Sequence, residues 1–376
     1  MASPVYLMRF PRNYVFGENA ILECKKYLAP LGNKILFTVG CGPIADQVIG
    51  KIKQSFAEGE DADQFTLEFV DVEGQVPTFK NFEKVADKAK AMGAEVVVGV
   101  GGGRALDFTR GQAYYTNTKI ALFPTAAATN AAGTRLDVVF TDDTGKKVET
   151  IQAAPNVAEL LLVDTALIVQ APSRIIAAGI GDCIGTYYES NFTAKQFNSR
   201  DDGSSMGWAA FDDGERIFRT KGVQAIRAAD AGYVTTAFNQ VVEHIIINGM
   251  LSGNVRGGMN IPHVIADETL LFLETEKRAF MHGQLVGYGV LPLFIKADKP
   301  LDEIYSYVDF CMEIGIPVNF EQLGIQDMSE EELYKRSVES MDSHILHLTR
   351  ATMVPEDICM NMLVADKLVT AYLASK

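Results

Sequence analysis

Up to about residue 165 the chain alternates short β-branched apolar runs with stretches of helical spacing. Residues 34–39 (KILFTV) read as a buried strand, followed by the turn Gly40-Cys41-Gly42-Pro43 and a helix over about 44–56. Residues 65–70 read as a second strand, and 78–92 as a helix with Phe82, Val85, Ala86 and Ala89 on one face. Residues 95–100 (EVVVGV), 119–123 (KIALF) and 159–164 (ELLLVD) read as further apolar strands. Strands separated by helices of this length imply βαβ units and a parallel sheet. Between them, 135–140 and 147–151 flank the turn signal Asp142-Asp143-Thr144-Gly145 and read as a β-hairpin.

After Pro172 the pattern changes to helical spacing at 173–193, 224–250, 260–274, 301–314 and 329–339. The expected organisation is an α/β part over 1–168 and an all-α part over 169–376. The polar, glycine-rich stretch 198–214 reads as an exposed loop or insertion.

Composition narrows the function. The chain of 376 residues carries 48 acidic and 34 basic residues, a net charge of −14. That balance argues against nucleic acid and against a basic membrane-surface protein. Five scattered cysteines without a C-x-x-C pair suit reduced thiols. The N-terminus lacks the apolar core of a signal peptide, and no apolar run is long enough for a membrane helix. The expectation is a cytoplasmic protein whose partner is a small molecule, forming a homo-oligomer.

Two segments point to a nucleotide. The strand 95–100 runs into Gly101-Gly102-Gly103, and Arg104-Ala105-Leu106-Asp107 opens a helix. Glycines let the backbone approach a pyrophosphate, and a helix N-terminus offers it free N–H groups. A tight strand-to-helix turn has the same appearance, and the run is not the spaced G-x-G-x-x-G of ordinary dinucleotide folds. The strand 119–123 ends in Pro124-Thr125-Ala126-Ala127-Ala128-Thr129-Asn130, small and hydroxyl residues where open α/β sheets bind ligands.

A third signal points to a metal. Asp182 interrupts an apolar helical run, where an unpaired carboxylate is costly. With His263 and His282 it could supply three ligands and leave a fourth position open. Spacing alone also allows a buried ion pair and two ordinary polar histidines. His244 reads as structural, and His344 with His347 as an accessory pair.

These pieces, in this order, resemble the iron-containing alcohol dehydrogenase superfamily, most closely its glycerol dehydrogenase-like branch. The resemblance rests on GVGGGRALD at 99–107, PTAAATN at 124–130, LVDT at 162–165, APSRIIAAGIGD at 171–182, GGMNIPH at 257–263 and FMHGQLVGYG at 280–289. It implies a dehydroquinate synthase-like fold, with a dinucleotide-binding part, a helical metal-binding part and a site in the cleft between. It implies NAD or NADP as cofactor and one divalent metal, zinc or iron. It puts Asp182, His263 and His282 on the metal positions. Gly102, Gly103, Arg104 and Asp107 fall on the pyrophosphate and nicotinamide side. Thr125, Ala128, Thr134, Leu136 and Phe140 fall on further cofactor positions. The implied reaction is metal-assisted hydride transfer between NAD(P) and a small alcohol or carbonyl compound.

The chain departs from that branch at three places. Asn130 stands where glycerol dehydrogenases carry an aspartate that helps bind the polyol. Ala266 stands where they carry a second histidine, and Arg104 replaces a lysine. These departures point away from glycerol and towards an aldehyde, ketone or hydroxy acid. Cys41 stands where NAD-preferring members place an aspartate, so NADP(H) is expected to be accepted at least as well as NAD(H). The alternatives are a non-redox sugar-phosphate cyclase, a glycerol-1-phosphate dehydrogenase and a nucleotide-binding pseudoenzyme. The first two need a phosphate pocket, for which Arg256, Lys277 and Arg278 are the nearby cations.

Overall fold

The computed structural model describes residues 9–145, 148–197, 203–251, 258–266, 280–342 and 353–376. Its strands are β1 Asn13–Gly17, β2 Lys34–Gly40, β3 Thr66–Asp71, β4 Val96–Gly101, β5 Lys119–Pro124, β6 Leu136–Phe140, β7 Val148–Ala153 and β8 Leu160–Asp164. Six form one sheet in the order β1-β8-β5-β4-β2-β3, every neighbouring pair parallel. β4 and β8 are buried along their whole lengths, which is why they read as unbroken apolar runs rather than alternating ones. The hairpin β6–β7 is antiparallel and stands apart from the sheet.

Three helices flanking this sheet matter below: α1 Ala45–Ala57, α2 Phe79–Met92 and α3 Gly103–Gly111. From Ser173 onward the main helices are α4 Ser173–Gln196, α5 Ser205–Asp230, α6 Thr236–Leu251, the short α7 Ile261–Ala266, α8 His282–Lys296, α9 Leu301–Ile314, α10 Glu330–Glu339 and α11 Pro355–Ala374. Among the described residues no strand follows Asp164. The largest apolar cluster nevertheless joins the two architectures, running from Leu106, Ile120 and Leu161 to Ile180, Ile245 and Leu285. No helix among the described residues is long and apolar enough to cross a membrane.

Four sequence expectations change. The stretch read as a loop contains the first three turns of α5, with Trp208 and Phe211 buried; glycine and aspartate masked an amphipathic face there. The helix expected over 224–250 is the end of α5 and all of α6, broken around Gly232, whose φ of +70° ends the first helix. Edge strand β1 and the C-terminal helix α11 were not anticipated. The expected helix 260–274 is observed as α7, and its remainder lies outside the described residues, as do His344, His347, Arg256, Lys277 and Arg278.

Candidate metal centre and cofactor mouth

The helical half brings Asp182 from α4, His263 from α7 and His282 from the first turn of α8 to one point. A ligand atom from each lies within 4.8 Å of the other two. Asp182 Oδ1 stands 3.5 Å from His263 Nε2 and 3.9 Å from His282 Nε2. Asp182 and His263 are buried, whereas the His282 side chain is 41% exposed and gives the cluster its open side.

Glycine makes this convergence possible. A Cβ on Gly181 of α4 would run into the carbonyl oxygen of Gly283, and one on Gly283 would run into that of Ala178. The two helices therefore cross backbone on backbone, one residue away from each of the ligands Asp182 and His282.

A hydrogen bond fixes the carboxylate, and a close carboxylate contact faces the first imidazole. Asp182 Oδ2 accepts from the Asn130 backbone N–H at 2.9 Å, so the turn after β5 reaches across to the cluster. Glu189, two turns beyond Asp182 on α4 and fully buried, places Oε1 2.7 Å from His263 Nδ1. Its Oε2 accepts from the Asn260 N–H at 2.9 Å. Burial alone would push the His263 imidazole down. The Glu189 charge and the contacts with Asp182 outweigh it and push His263 up to about 10. Burial alone would raise Asp182, but its contact with His263 and the charge of His282 hold it below the usual carboxylate range. His282 is pushed down by the desolvation of its surroundings, against the pull of Asp182.

The cofactor mouth is built mostly of backbone. Gly40, Gly101 and Pro124 line up at the C-terminal ends of β2, β4 and β5. Gly101 has φ +150°, and a Cβ there would strike the Gly40 carbonyl, so glycine is required for the strand contact itself. Gly102 caps α3, and a Cβ on it would meet nothing within 4 Å. Gly103 begins the helix, and exposed Arg104 lays its guanidinium 6.0 Å from the Phe140 ring centre. Leu136 and Phe140 share the half-buried face of β6, opposite buried Asp137 and Val139. Thr125 is buried just past β5, its N–H donating to Gly101, while Ala128 and Thr134 are half-buried in the turn that follows.

Asp107 behaves differently from its neighbours. Its carboxylate is buried and accepts from Arg110 at 2.7 Å, and Arg110 also binds Asp137 at 2.8 Å and the Ala131 carbonyl at 3.2 Å. Asp107 is thus a member of a buried ion cluster that anchors the hairpin and the 130–132 turn to α3. Cys41, half-buried at the end of β2, has its thiol pushed up to about 11 by burial and by Glu73 and Asp71. Glu73 accepts from the Gly42 N–H at 2.8 Å. His244 lies away from the cluster, 3.2 Å from Asp213, in keeping with a structural role.

Residues 11–165 match the family model described as iron-containing alcohol dehydrogenase. A glycerol dehydrogenase of Thermotoga maritima is 28% identical over 281 residues, covering 73% of this chain and 75% of that protein. A glycerol dehydrogenase of Escherichia coli is 24% identical over 366 residues, covering 96% of each. The crystal structure of a probable glycerol dehydrogenase from Sinorhizobium meliloti superposes with a TM-score of 0.84, at 24% identity over 98% of this chain and 99% of that one. The family model, the glycerol dehydrogenase relatives and the superposition together support the iron-containing alcohol dehydrogenase superfamily and its glycerol dehydrogenase-like branch. The chain is accordingly an NAD(P)-dependent alcohol dehydrogenase that works with a divalent metal.

The sequence motifs named all three converging residues. They did not single out Glu189, which the string Tyr187-Tyr188-Glu189 presents as an ordinary charge beside aromatics. Its spacing from Asp182 was the available signal, since seven residues return to the same helix face. Nor did they single out the carboxylates of Asp71 and Glu73, which meet Cys41 only because β3 is the neighbour of β2.

Proposed function

We propose that Asp182, His263 and His282 hold one divalent cation, and that the substrate is a small alcohol or carbonyl compound meeting the cofactor at the open side of that cluster. The supporting observation is the convergence of three ligand atoms, two of them on buried side chains, across a glycine-built helix crossing. One carboxylate oxygen and two imidazole nitrogens suit zinc or ferrous iron.

A cation held by these three residues would supply Lewis acidity to a substrate oxygen, and a nicotinamide bound at the mouth would supply hydride chemistry. Asp182 contributes the negative charge, fixed by the Asn130 N–H. His282 stands on the exposed side, where an incoming hydroxyl arrives. The N-terminus of α3, with Gly102 open to solvent, receives the pyrophosphate. Ala266, buried at the end of α7, offers no group to take the substrate proton.

Two finer points follow. NAD(H) is favoured over NADP(H), against the expectation drawn from Cys41 alone. The carboxylates of Asp71 and Glu73 flank Cys41 at the ribose end of the mouth, where an acidic group accepts from a ribose diol and repels a 2′-phosphate. Glycerol also stays among the substrates to be tried. The relatives named glycerol dehydrogenase give no support to excluding it, and Asn130 keeps an amide oxygen that can accept from a polyol. The Asn130 amide itself donates to Asn248 at 3.4 Å.

A screen of glycerol, short diols, aldehydes and 2-hydroxy acids, with both cofactors and with zinc or ferrous iron, tests the reading. Metal-dependent reduction of NAD+ by at least one of these alcohols is expected, and none with any metal would end it. Asn130→Asp adds a charged acceptor worth about 1.5–3 kcal/mol, so kcat/KM for glycerol should rise about ten- to a hundredfold.

A further inference from the structure

Among the described residues Glu189 is a buried carboxylate beside the cluster that the proposed reaction does not use. Burying a carboxylate completely is costly unless something inside the protein needs its charge. Among the described residues no lysine or arginine pairs with it; the groups that face it are His263, the Asn260 N–H and, more remotely, Asp182. Among the described residues His263 Nδ1 and Glu189 Oε1 are both buried and make no well-aligned hydrogen bond; the polar atom each faces is the other, at 2.7 Å.

We infer that Glu189 is a positioning residue: its carboxylate is the acceptor for the Nδ1–H of His263, and so holds the imidazole in the tautomer and orientation that offer Nε2 to the cation. The inference rests on the metal reading above. An imidazole that gives one nitrogen to a cation must carry its proton on the other, and the acceptor for that proton sets the ring plane. Glu189 is placed to do this with its 2.7 Å contact.

The rest of α4 supports the assignment. Asp182, Glu189 and Thr193 recur at helical spacing on one face of the helix. Thr193 receives the Asn260 side-chain amide at 3.2 Å, and Asn260 Oδ1 accepts from the Ile261 N–H at 2.8 Å, which fixes the start of α7. One helix face therefore supplies a ligand, orients a second ligand and anchors the short helix that carries it.

The test compares the full-length protein with its Glu189→Gln variant. Zinc affinity is measured by chelator competition, and the visible bands of the cobalt-substituted protein are recorded. The variant should bind zinc about ten- to a hundredfold more weakly, with shifted cobalt bands, while its circular dichroism stays that of the parent. If the glutamine does not fold, Glu189→Asp serves. It keeps the charge but withdraws it by a methylene, and should weaken zinc binding severalfold and shift the same bands. Unchanged affinity and spectrum in the folded variant would overturn the role of Glu189. His263→Ala, run alongside, separates the two readings: loss of zinc there with no change in the Glu189 variant overturns only the positioning role. Retained zinc in His263→Ala overturns the metal reading as well.

Discussion

The metal centre and the cofactor mouth meet at the turn that follows β5, yet they are made of different material. The proposed metal centre is a set of side chains, with three buried or partly buried candidate ligands, two of which face a second group: Asp182 the Asn130 N–H and His263 the Glu189 carboxylate. The cofactor mouth is glycine backbone and a helix N-terminus, with its buried carboxylates Asp107 and Asp137 turned away to Arg110. Localised positive charge needs ligands with defined lone pairs. A pyrophosphate, whose charge is spread over many oxygens, is served by several N–H groups and by the absence of Cβ atoms. The two sites should consequently fail in opposite ways, one when a side chain is removed and the other when one is added.

The largest effect is expected from removing a ligand. His263→Ala leaves two protein ligands and a buried glutamate without its histidine. Elemental analysis should find most of the metal gone. With several kcal/mol of Lewis-acid stabilisation lost, kcat/KM should fall by about a thousandfold or more. A variant that keeps both metal and activity would show that the cluster is a buried ion pair.

Adding one methyl group in each region sharpens the contrast. At Gly283 it would collide with the Ala178 carbonyl, so Gly283→Ala must spread the α4–α8 crossing. The cost should be about 1–3 kcal/mol, read as a lower urea midpoint, with weaker metal binding because Asp182 and His282 move apart. At Gly102 added atoms meet no protein atom, so Gly102→Val should unfold at the parent's urea midpoint but bind NADH at least about tenfold more weakly by fluorescence titration. Equal nucleotide affinity in that variant would place the pyrophosphate elsewhere.

The same division decides what could be read from the chain. Buried strands such as β4 were legible because parallel strands covered on both faces are continuous apolar runs, and the glycine run stood next to one of them. The three candidate ligands were legible as residues within specific strings. Their convergence was not, because it depends on a helix crossing that brings Gly181 to Gly283 across a hundred residues of chain. Edge strand β1 escaped because its half-buried residues form no apolar run, and the start of α5 because glycine and aspartate lower helix propensity while tertiary burial of Trp208 and Phe211 overrides it. The surroundings of Cys41 were hidden for a topological reason: a strand distant in sequence supplies the charge that position 41 lacks.

That last case yields the smallest expected effect. The Glu73 carboxylate is exposed, so its field on a 2′-phosphate is screened by water, and a charge pair at contact in water is worth about 1 kcal/mol. The parent should therefore bind NADH more tightly than NADPH, and Glu73→Gln should narrow the gap by roughly fivefold, mainly through tighter NADPH binding. The glutamine can still accept from the Gly42 N–H, so the turn after β2 keeps its shape and the comparison isolates charge. Raising the salt concentration should narrow the parent's gap and leave the variant's nearly unchanged, since only the parent carries the screened repulsion. Equal affinity of the parent for the two cofactors, measured by the same fluorescence titration, would mean that the carboxylates at the end of β3 do not face the ribose.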